Sequence, residues 1–196
     1  MQIELLIGLT SFALITTVSP GPNNLMLMSS GANFGFKRTL PHMFGIGVGF
    51  AFMVLLVGMG LMQVFELFPQ SYHVLKVASI SYLFYLAYKI ATAGPLASTS
   101  STAKPLTFLQ AAAFQWLNPK AWSMALSALS IYAPSTNIAA IALVAAIFAL
   151  VNMPSTSLWT LLGQQMQRYL TSSQRLVWFN RVMATILVAS VMPVII

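Results

Sequence analysis

The residues best suited to chemistry lie in two short motifs, each inside a long apolar segment. They read Ser19-Pro20-Gly21-Pro22-Asn23-Asn24 and Gln115-Trp116-Leu117-Asn118-Pro119-Lys120. Proline lacks a backbone donor and disfavours helix at the residue before it, so each motif predicts a break in a helix. Backbone groups freed at membrane depth must be buried in protein or line a wet cavity. Both motifs are therefore candidate sites.

The first motif predicts the start of a new helix. Pro22 suits the first helical turn, and the sequence from Leu25 to Asn33 can continue it. The free N–H groups and positive dipole end of such a helix suit a substrate carboxylate. Asn23 and Asn24 add donors and acceptors. The alternative is a kink that is satisfied internally, with the asparagine side chains capping the new helix.

The second motif places a lysine within the hydrocarbon or at its edge. Lys120 has apolar-dominated residues on both sides. An intramembrane lysine costs about 2.5–3.5 kcal/mol on insertion scales and is a functional candidate by default. Lys120 could bind a substrate carboxylate or exchange a proton, with Gln115 and Asn118 beside it. The alternative is a lysine that snorkels to the cytoplasmic interface.

Weaker candidates lie elsewhere in the chain. Asn152, Ser155 and Trp159 can share one helical face, where they either line the same cavity or bond to neighbouring helices. His42 and His73 lie near the ends of apolar segments, which favours an interfacial location over ligand binding.

The composition indicates a protein whose solvent is lipid. Of 196 residues, 58% are hydrophobic and only 6% are charged, whereas a soluble domain carries about 25% charged residues. The nine basic residues are scattered between apolar segments, unlike the clustered face of a nucleic-acid-binding protein. We therefore expect the lipid bilayer as surroundings and no nucleic acid as partner.

The residue types that the chain lacks exclude several kinds of catalysis and argue against metal transport. The chain has no cysteine and no aspartate, which excludes disulfides, thiol catalysis and proteolysis by paired aspartates. Its only carboxylates, Glu4 and Glu66, lie near segment ends. Divalent-cation transport usually needs carboxylate ligands and is disfavoured. We expect no metal, no cofactor and no enzymatic activity.

The apolar segments predict an all-α integral membrane protein of about six transmembrane helices. The segments are 5–36, 39–65, 72–91, 106–131, 138–162 and 177–196. The first would measure about 48 Å as one helix, against a hydrocarbon core of about 30 Å. The uncharged stretch after Pro134 is also too long for one simple crossing. We expect broken, tilted or interfacial helix in both.

The basic residues predict the orientation. An outside N-terminus puts seven of them on the cytoplasmic side: Lys37, Arg38, Lys89, Lys104, Arg168, Arg175 and Arg181. Only Lys76 among the basic residues, with Glu4 and Glu66, remains outside. By the positive-inside rule we expect a multi-pass membrane protein with both termini outside the cytoplasm. The apolar N-terminal segment is expected to be a retained span rather than a signal peptide.

The positions of the two breaks predict internal symmetry within a single transporter domain. The breaks fall in the first and fourth helices, which lead the two halves, about 1–94 and 105–196, joined by a linker over 94–105. Three spans per half is an odd number, so the second half would enter from the opposite side. Interrupted helices at matching positions of two inverted repeats point to a transport site.

Two sequence blocks carry a resemblance to a known family. Residues 12–50 read FALITTVSPGPNNLMLMSSGANFGFKRTLPHMFGIGVGF, and residues 118–120 read NPK. This pattern resembles the lysine-exporter and homoserine/threonine-exporter family (LysE/RhtB) of bacterial amino-acid exporters, with its PGPN motif, its glycines at 31, 35, 45 and 49 and its basic loop. The PGPNN version is similar to the cysteine/O-acetylserine exporter branch.

The resemblance implies a function and a site. It implies a protein of the bacterial inner membrane with both termini periplasmic. It also implies export of small amino acids or their derivatives from the cytoplasm, driven by the ion gradient, with a proton as the expected coupling ion. The family motifs map onto seven residues: Pro20, Gly21, Pro22, Asn23, Asn118, Pro119 and Lys120. Asn24, Gln115 and Asn152 join the expected substrate site by position. A passive channel and a non-transporting scaffold are the alternatives, and lipid-facing helices could pair two copies as a homodimer.

Overall fold

The computed structural model describes residues 3–61, 67–68, 70–93, 104–133 and 137–190, and this part of the chain holds helices without strands. The helices are α1 (Ile3–Val18), α2 (Pro22–Phe34), α3 (Phe36–Leu56), α4 (Gln70–Ala91), α5 (Phe108–Phe114), α6 (Pro119–Tyr132), α7 (Ile138–Met166) and α8 (Ser173–Ala189). A π-helical turn, Val57–Leu61, extends α3, and a 3₁₀ turn, Gln115–Leu117, extends α5. The all-α prediction is confirmed.

Both predicted helix breaks are present. Helices α1 and α2 are separated at residues 19–21 and bend by 56° relative to one another. Helix α2 begins at Pro22 in its first turn, as the sequence predicts. The second break lies at Asn118, between the 3₁₀ turn and α6.

Three uninterrupted stretches in the described part are long and apolar enough to cross a bilayer. They are Phe36–Leu61, His73–Ala91 and Ile138–Met166, and the bent pair α1–α2 makes a fourth if it is one span. Helix α7 has 29 residues, about 44 Å at 1.5 Å per residue, so it exceeds one hydrocarbon thickness as expected.

Several predicted features lie outside the described residues. They are the linker over 94–103, Glu66, the turn at Pro134–Thr136 and the last six residues of the sixth predicted span. The described part of that span is α8, which packs against α4.

Helix α7 is the centre of the packing and contacts α1, α2 and α3. Its crossing with α2 is too close for any side chain at two glycines. A Cβ on Gly31 would overlap the Thr160 carbonyl, and a Cβ on Gly163 would overlap the Met28 carbonyl. Gly35, between α2 and α3, has a φ of 78°, which favours glycine. These contacts fix the helix that carries the first motif.

The distribution of polar and apolar side chains is inverted relative to a soluble protein. Large apolar side chains face outward, as Ile15 and Leu150 do at 69% exposure each. Polar side chains such as Asn24, Gln115 and Asn180 are buried. Because exposed apolar patches of this extent do not suit water, the outer surface is suited to lipid.

Candidate functional site

The two helix breaks meet through Lys120. Its ammonium Nζ donates to the Ser19 carbonyl at 2.6 Å, to the Ser19 Oγ at 2.8 Å and to the Pro20 carbonyl at 3.3 Å. Gly21 leaves room for this side chain, since a Cβ there would lie only 2.7 Å from the Lys120 Cδ. The lysine of the second motif therefore ends on the freed backbone of the first.

Among the described residues, no carboxylate pairs with the Lys120 ammonium. Its three acceptors are the carbonyls of Ser19 and Pro20 and the Ser19 hydroxyl. They follow the C-terminal end of α1, where the helix dipole favours positive charge. Neutral carbonyl groups and a helix end thus stabilise a half-buried cation inside the protein.

The carbonyl groups at the end of α1 also receive donors from α2. The Asn24 Nδ2 donates to the Thr17 carbonyl at 2.7 Å and to the Ser19 carbonyl at 2.8 Å. Asn24 is 5% exposed, so these bonds satisfy buried groups that lost their helical partners. Asn24 bridges back across the break and does not cap its own helix.

Helix α7 supplies two further donors to the same broken end. The Ser155 Oγ donates to the Thr17 carbonyl at 2.9 Å, and the Trp159 Nε1 donates to the Val18 carbonyl at 3.0 Å. Ser155 and Trp159 therefore bond to a neighbouring helix, which is one of the two alternatives predicted for this face of α7. Asn152, one turn before Thr156, borders the cavity described below.

The N–H side of the first break is left open. The N-cap of α2 is Gly21, which offers no side-chain acceptor. The N–H groups of the first turn, at Asn23 and Asn24, have no acceptor within the helix. At the second break, in contrast, the Asn118 Oδ1 accepts from the Lys120 backbone N–H at 3.1 Å and caps α6.

A reciprocal amide pair joins the two motifs a second time. The Asn23 Nδ2 donates to the Gln115 Oε1 at 2.9 Å, and the Gln115 Nε2 donates back to the Asn23 Oδ1 at 3.3 Å. The Gln115 Nε2 also donates to the Ala111 carbonyl at 2.9 Å. Gln115 is fully buried, so this pair fixes the α2 N-terminus against the end of α5.

The breaks enclose a cavity of about 30 Å³. Seven of the ten residues expected from the sequence border it: Gly21, Asn23, Asn24, Gln115, Asn118, Lys120 and Asn152. The other three are Pro20, Pro22 and Pro119, which do not border it and act on the backbone. The structure thus brings the side chains of both motifs to one place.

Sequence reasoning missed part of the cavity wall. Thr16 and Thr17 border it from the last turn of α1, and their position one turn before Pro20 was an available signal. Ile46 and Phe50 border it from α3, and no motif marks them.

His42, for which the sequence predicts an interfacial location, is buried within the protein, with 1% of its side chain exposed. It lies on the packed face of α3, whereas Phe44 on the same helix is 48% exposed. His73 is exposed, in line with its expected place near a span end.

The arrangement suits a small molecule that carries a carboxylate. The cavity offers the ammonium of Lys120, the amide groups of Asn23, Asn118 and Asn152, and the uncapped first turn of α2. Among the described residues there is no group of metal-ligating side chains. These polar groups of the cavity can bind and orient a substrate.

The sequence profile of the LysE type translocators matches residues 14–192. The chain belongs to the LysE type translocator family. As a LysE type translocator it is a multi-pass bacterial membrane protein and a transporter rather than an enzyme.

Curated relatives of this LysE type translocator are efflux proteins. The cysteine/O-acetylserine efflux proteins of Escherichia coli K12 and Shigella sonnei are each 31% identical over 190 residues, covering 96% of both chains. The protein of the same name from Escherichia coli O1:K1 is 30% identical over the same length. No solved structure matches the chain.

Proposed function

We propose that this translocator exports small amino acids or their derivatives from the bacterial cytoplasm, with cysteine and O-acetylserine as the first substrates to test. The names of its relatives support the substrate class. The observation that carries the proposal is the uncapped start of α2 beside the Lys120 ammonium, at one cavity shared by two helix breaks.

The carboxylate of the substrate would bind at the N-terminus of α2. N–H groups at a helix start and the positive end of its dipole favour an anion. The Lys120 Nζ bonds to Ser19 and Pro20 next to this turn, so a carboxylate oxygen could replace one carbonyl as its acceptor. A carboxylate adds the attraction between opposite charges to the hydrogen bond from the ammonium, which favours the exchange.

The ammonium of the substrate would bind to two other groups that border the cavity, Asn152 and Thr17. The Asn152 Nδ2 donates to the Phe148 carbonyl at 3.0 Å, which leaves its Oδ1 as an acceptor toward the cavity. The Thr17 hydroxyl donates to the Ala13 carbonyl at 2.7 Å and retains acceptor capacity. Together these acceptors and the α2 N-terminus would recognise both ends of a zwitterion.

Substrate binding requires the helices to separate. A cavity of about 30 Å³ holds water, whereas an amino acid has several times as many heavy atoms and does not fit. We therefore propose alternating access, in which the inverted halves, about 1–94 and 105–196, rock around the two breaks. The ion gradient, with a proton as coupling ion, would drive the outward direction.

The six-helix arrangement with both termini outside is part of the same proposal, and the cysteine-free chain allows a direct test. Gln70→Cys and Thr171→Cys each place one thiol at an exposed position. A membrane-impermeant maleimide should label Gln70→Cys in intact cells and Thr171→Cys only after lysis. The reverse pattern would contradict the orientation. Cross-linking of the same variants in membranes would test the proposed homodimer.

Efflux from preloaded cells tests the function itself. Cells with and without the protein are loaded with labelled cysteine, O-acetylserine, threonine, homoserine or lysine, and uphill efflux is followed with and without an uncoupler. We expect faster efflux of cysteine or O-acetylserine that collapses with the uncoupler. Efflux that is only downhill and insensitive to the uncoupler would indicate a passive channel, and unchanged efflux of all five would contradict the proposal.

A further inference from the structure

A second cavity, of about 80 Å³, lies at the other end of α2. Its wall includes Ser30 and Asn33 of α2 and His42 of α3, and Lys89 and Lys104 stand at its edge. The proposed topology puts this end of the molecule at the cytoplasm. The mechanism proposed above uses none of these side chains.

His42 is the unsatisfied group in this wall. Its ring is 1% exposed, and both Nδ1 and Nε2 are buried without a hydrogen-bond partner. The neighbouring polar groups are bonded: the Ser30 and Thr39 hydroxyls lie 2.9 Å apart, and the Asn33 Nδ2 donates to the Asn180 Oδ1 at 2.8 Å. Because buried polar groups are normally paired, His42 indicates that a ligand atom or a water belongs here.

The cavity is cationic, and the described residues that border it include no counter-anion. Lys89 lies over the Tyr85 ring, with its Nζ 5.6 Å from the ring centre. Arg38 lies nearby over Phe34, which also borders the cavity. Glu4, the one carboxylate among the described side chains, starts α1 and does not border this cavity. An anion from outside the protein would therefore balance the charge of the two lysines.

An apolar cluster separates the two cavities. Asn24, Leu27 and Ser30 follow one another at three-residue spacing on α2, so they share one side of the helix. Asn24 borders the first cavity, Ser30 borders the second, and Leu27 packs between them with Met43 and Ile46 of α3. The two cavities thus lie along one line, closed by Leu27, Met43 and Ile46.

We propose that the second cavity is a cytoplasmic substrate site, where Lys89, Lys104 and His42 first bind the carboxylate of an amino acid before the Leu27–Met43–Ile46 cluster opens. This inference rests on the proposed export function. The apolar wall, which includes Met26 and Leu86, accommodates the side chain of a small substrate. The site would raise the local concentration of substrate next to the Leu27–Met43–Ile46 cluster.

A thiol placed in this wall tests the site without requiring transport. Ala93→Cys introduces a single cysteine at the cavity, because the chain has no other. Its rate of maleimide labelling is measured in inside-out vesicles with O-acetylserine or with 2-aminoethyl acetate, the same molecule without the carboxylate. We expect O-acetylserine at millimolar concentration to slow labelling several-fold and the decarboxylated molecule to have no effect.

Matched lysine variants assign the protection to this cavity. Lys89→Gln with Lys104→Gln should abolish it, and Lys89→Gln alone should weaken it. Lys76→Gln removes one positive charge from the other half of α4 and should leave it intact. His42→Phe, which keeps a ring and removes both nitrogens, should weaken it. In efflux assays the lysine pair should raise the half-saturating internal concentration about tenfold with little change in the maximal rate.

Three results would overturn the inference. They are equal protection by both molecules, protection that survives loss of both lysines, and slow labelling without amino acid in phosphatidylglycerol but not in phosphatidylcholine. The last would assign the cationic edge to a lipid headgroup. Failure of the export proposal is separate, since it is read as the absence of efflux from cells and not as the labelling rate.

Discussion

The two helix breaks have similar sequences, but the helices that follow them are capped differently. Each restarts a helix with a proline in its first turn, Pro22 in α2 and Pro119 in α6. At the second break the Asn118 side chain caps the new helix. At the first, the N-cap is Gly21 and offers no acceptor. The start of α6 at the second break is therefore capped by its own sequence. The first turn of α2 at the first break keeps backbone N–H groups that a ligand could use.

The two sides of the first break differ in the same way. The carbonyl groups that α1 exposes are covered by donors from three other helices: Asn24 of α2, Lys120 of α6, and Ser155 and Trp159 of α7. The N–H groups at the start of α2 receive no cap. An unsatisfied polar group in a membrane is costly, so the covered carbonyl side and the open N–H side together support our proposal that the open side binds the substrate.

Of the variants that test this comparison, Lys120→Met should reduce efflux the most. It removes the cation beside the open turn and leaves the Pro20 carbonyl without its donor. Hydrogen bonds to charged groups contribute about 1.5–3 kcal/mol each, and about 1.4 kcal/mol is tenfold in a binding constant. We expect efflux to fall about 100-fold or more at equal amounts of protein in the membrane.

The matched control is Lys76→Met, which removes a lysine of α4 that borders neither cavity. It should export at the normal rate. Full efflux in Lys120→Met, with the protein inserted and folded, would remove Lys120 from the site.

Gly21→Ala should have the second largest effect. Its Cβ would lie 2.7 Å from the Lys120 Cδ and 3.1 Å from the Nζ, so the lysine must move away from the break. The backbone at Gly21 is extended, and alanine adopts that conformation without strain. We expect efflux to fall about tenfold, the equivalent of one charged hydrogen bond. In Gly8→Ala the nearest atom, the Tyr132 hydroxyl oxygen, would be 3.4 Å away, and efflux should be unchanged.

Asn118→Ala should affect stability more than binding. Loss of an N-cap side chain costs about 1 kcal/mol, and the Lys120 N–H would lose the bond to the Asn118 Oδ1. The melting temperature in detergent should fall by a few degrees, and Asn118→Ser should restore most of it because serine also caps. A variant with normal stability and no efflux would place Asn118 in substrate binding instead.

Ser155→Ala should have the smallest effect. The Thr17 carbonyl keeps its second donor, the Asn24 Nδ2 at 2.7 Å, so little is left unsatisfied. We expect a loss of stability below about 1 kcal/mol and near-normal efflux. Trp159→Phe should be more damaging, because the Val18 carbonyl would retain only the Asn24 Nδ2 at 3.5 Å. Equal melting temperatures for the two variants would contradict this account of the covered side.

Local rules were enough to predict the helix breaks. Proline and glycine act on the backbone next to them, so the start of α2 at Pro22 and the break at Asn118 followed from neighbouring residues alone. The all-α architecture followed in the same way from long uncharged segments. These properties depend on composition and sequence spacing.

The contacts between the two breaks could not be predicted from neighbouring residues. Lys120 and Ser19 are 101 positions apart, and only the packing of α6 against α1 brings them together. The burial of His42 has the same origin, since its side chain is 1% exposed while Phe44 and Val48 on the same helix are 48% and 52% exposed. Only the packing of the other helices decides which face of α3 is buried. Asn24 was expected to help bind substrate or cap α2, and its bonds to Thr17 and Ser19 depend on the angle between α1 and α2.

The most direct test of the open turn at α2 asks whether the substrate needs its carboxylate. Purified protein in liposomes is preloaded with cysteine, and uptake of labelled cysteine is measured against external cysteine or cysteamine, the same molecule without the carboxylate. If the α2 N-terminus and Lys120 bind that group, unlabelled cysteine will compete and cysteamine will not. Equal competition by both would contradict the account, because the open N–H groups and the Lys120 ammonium would then have no part in recognition.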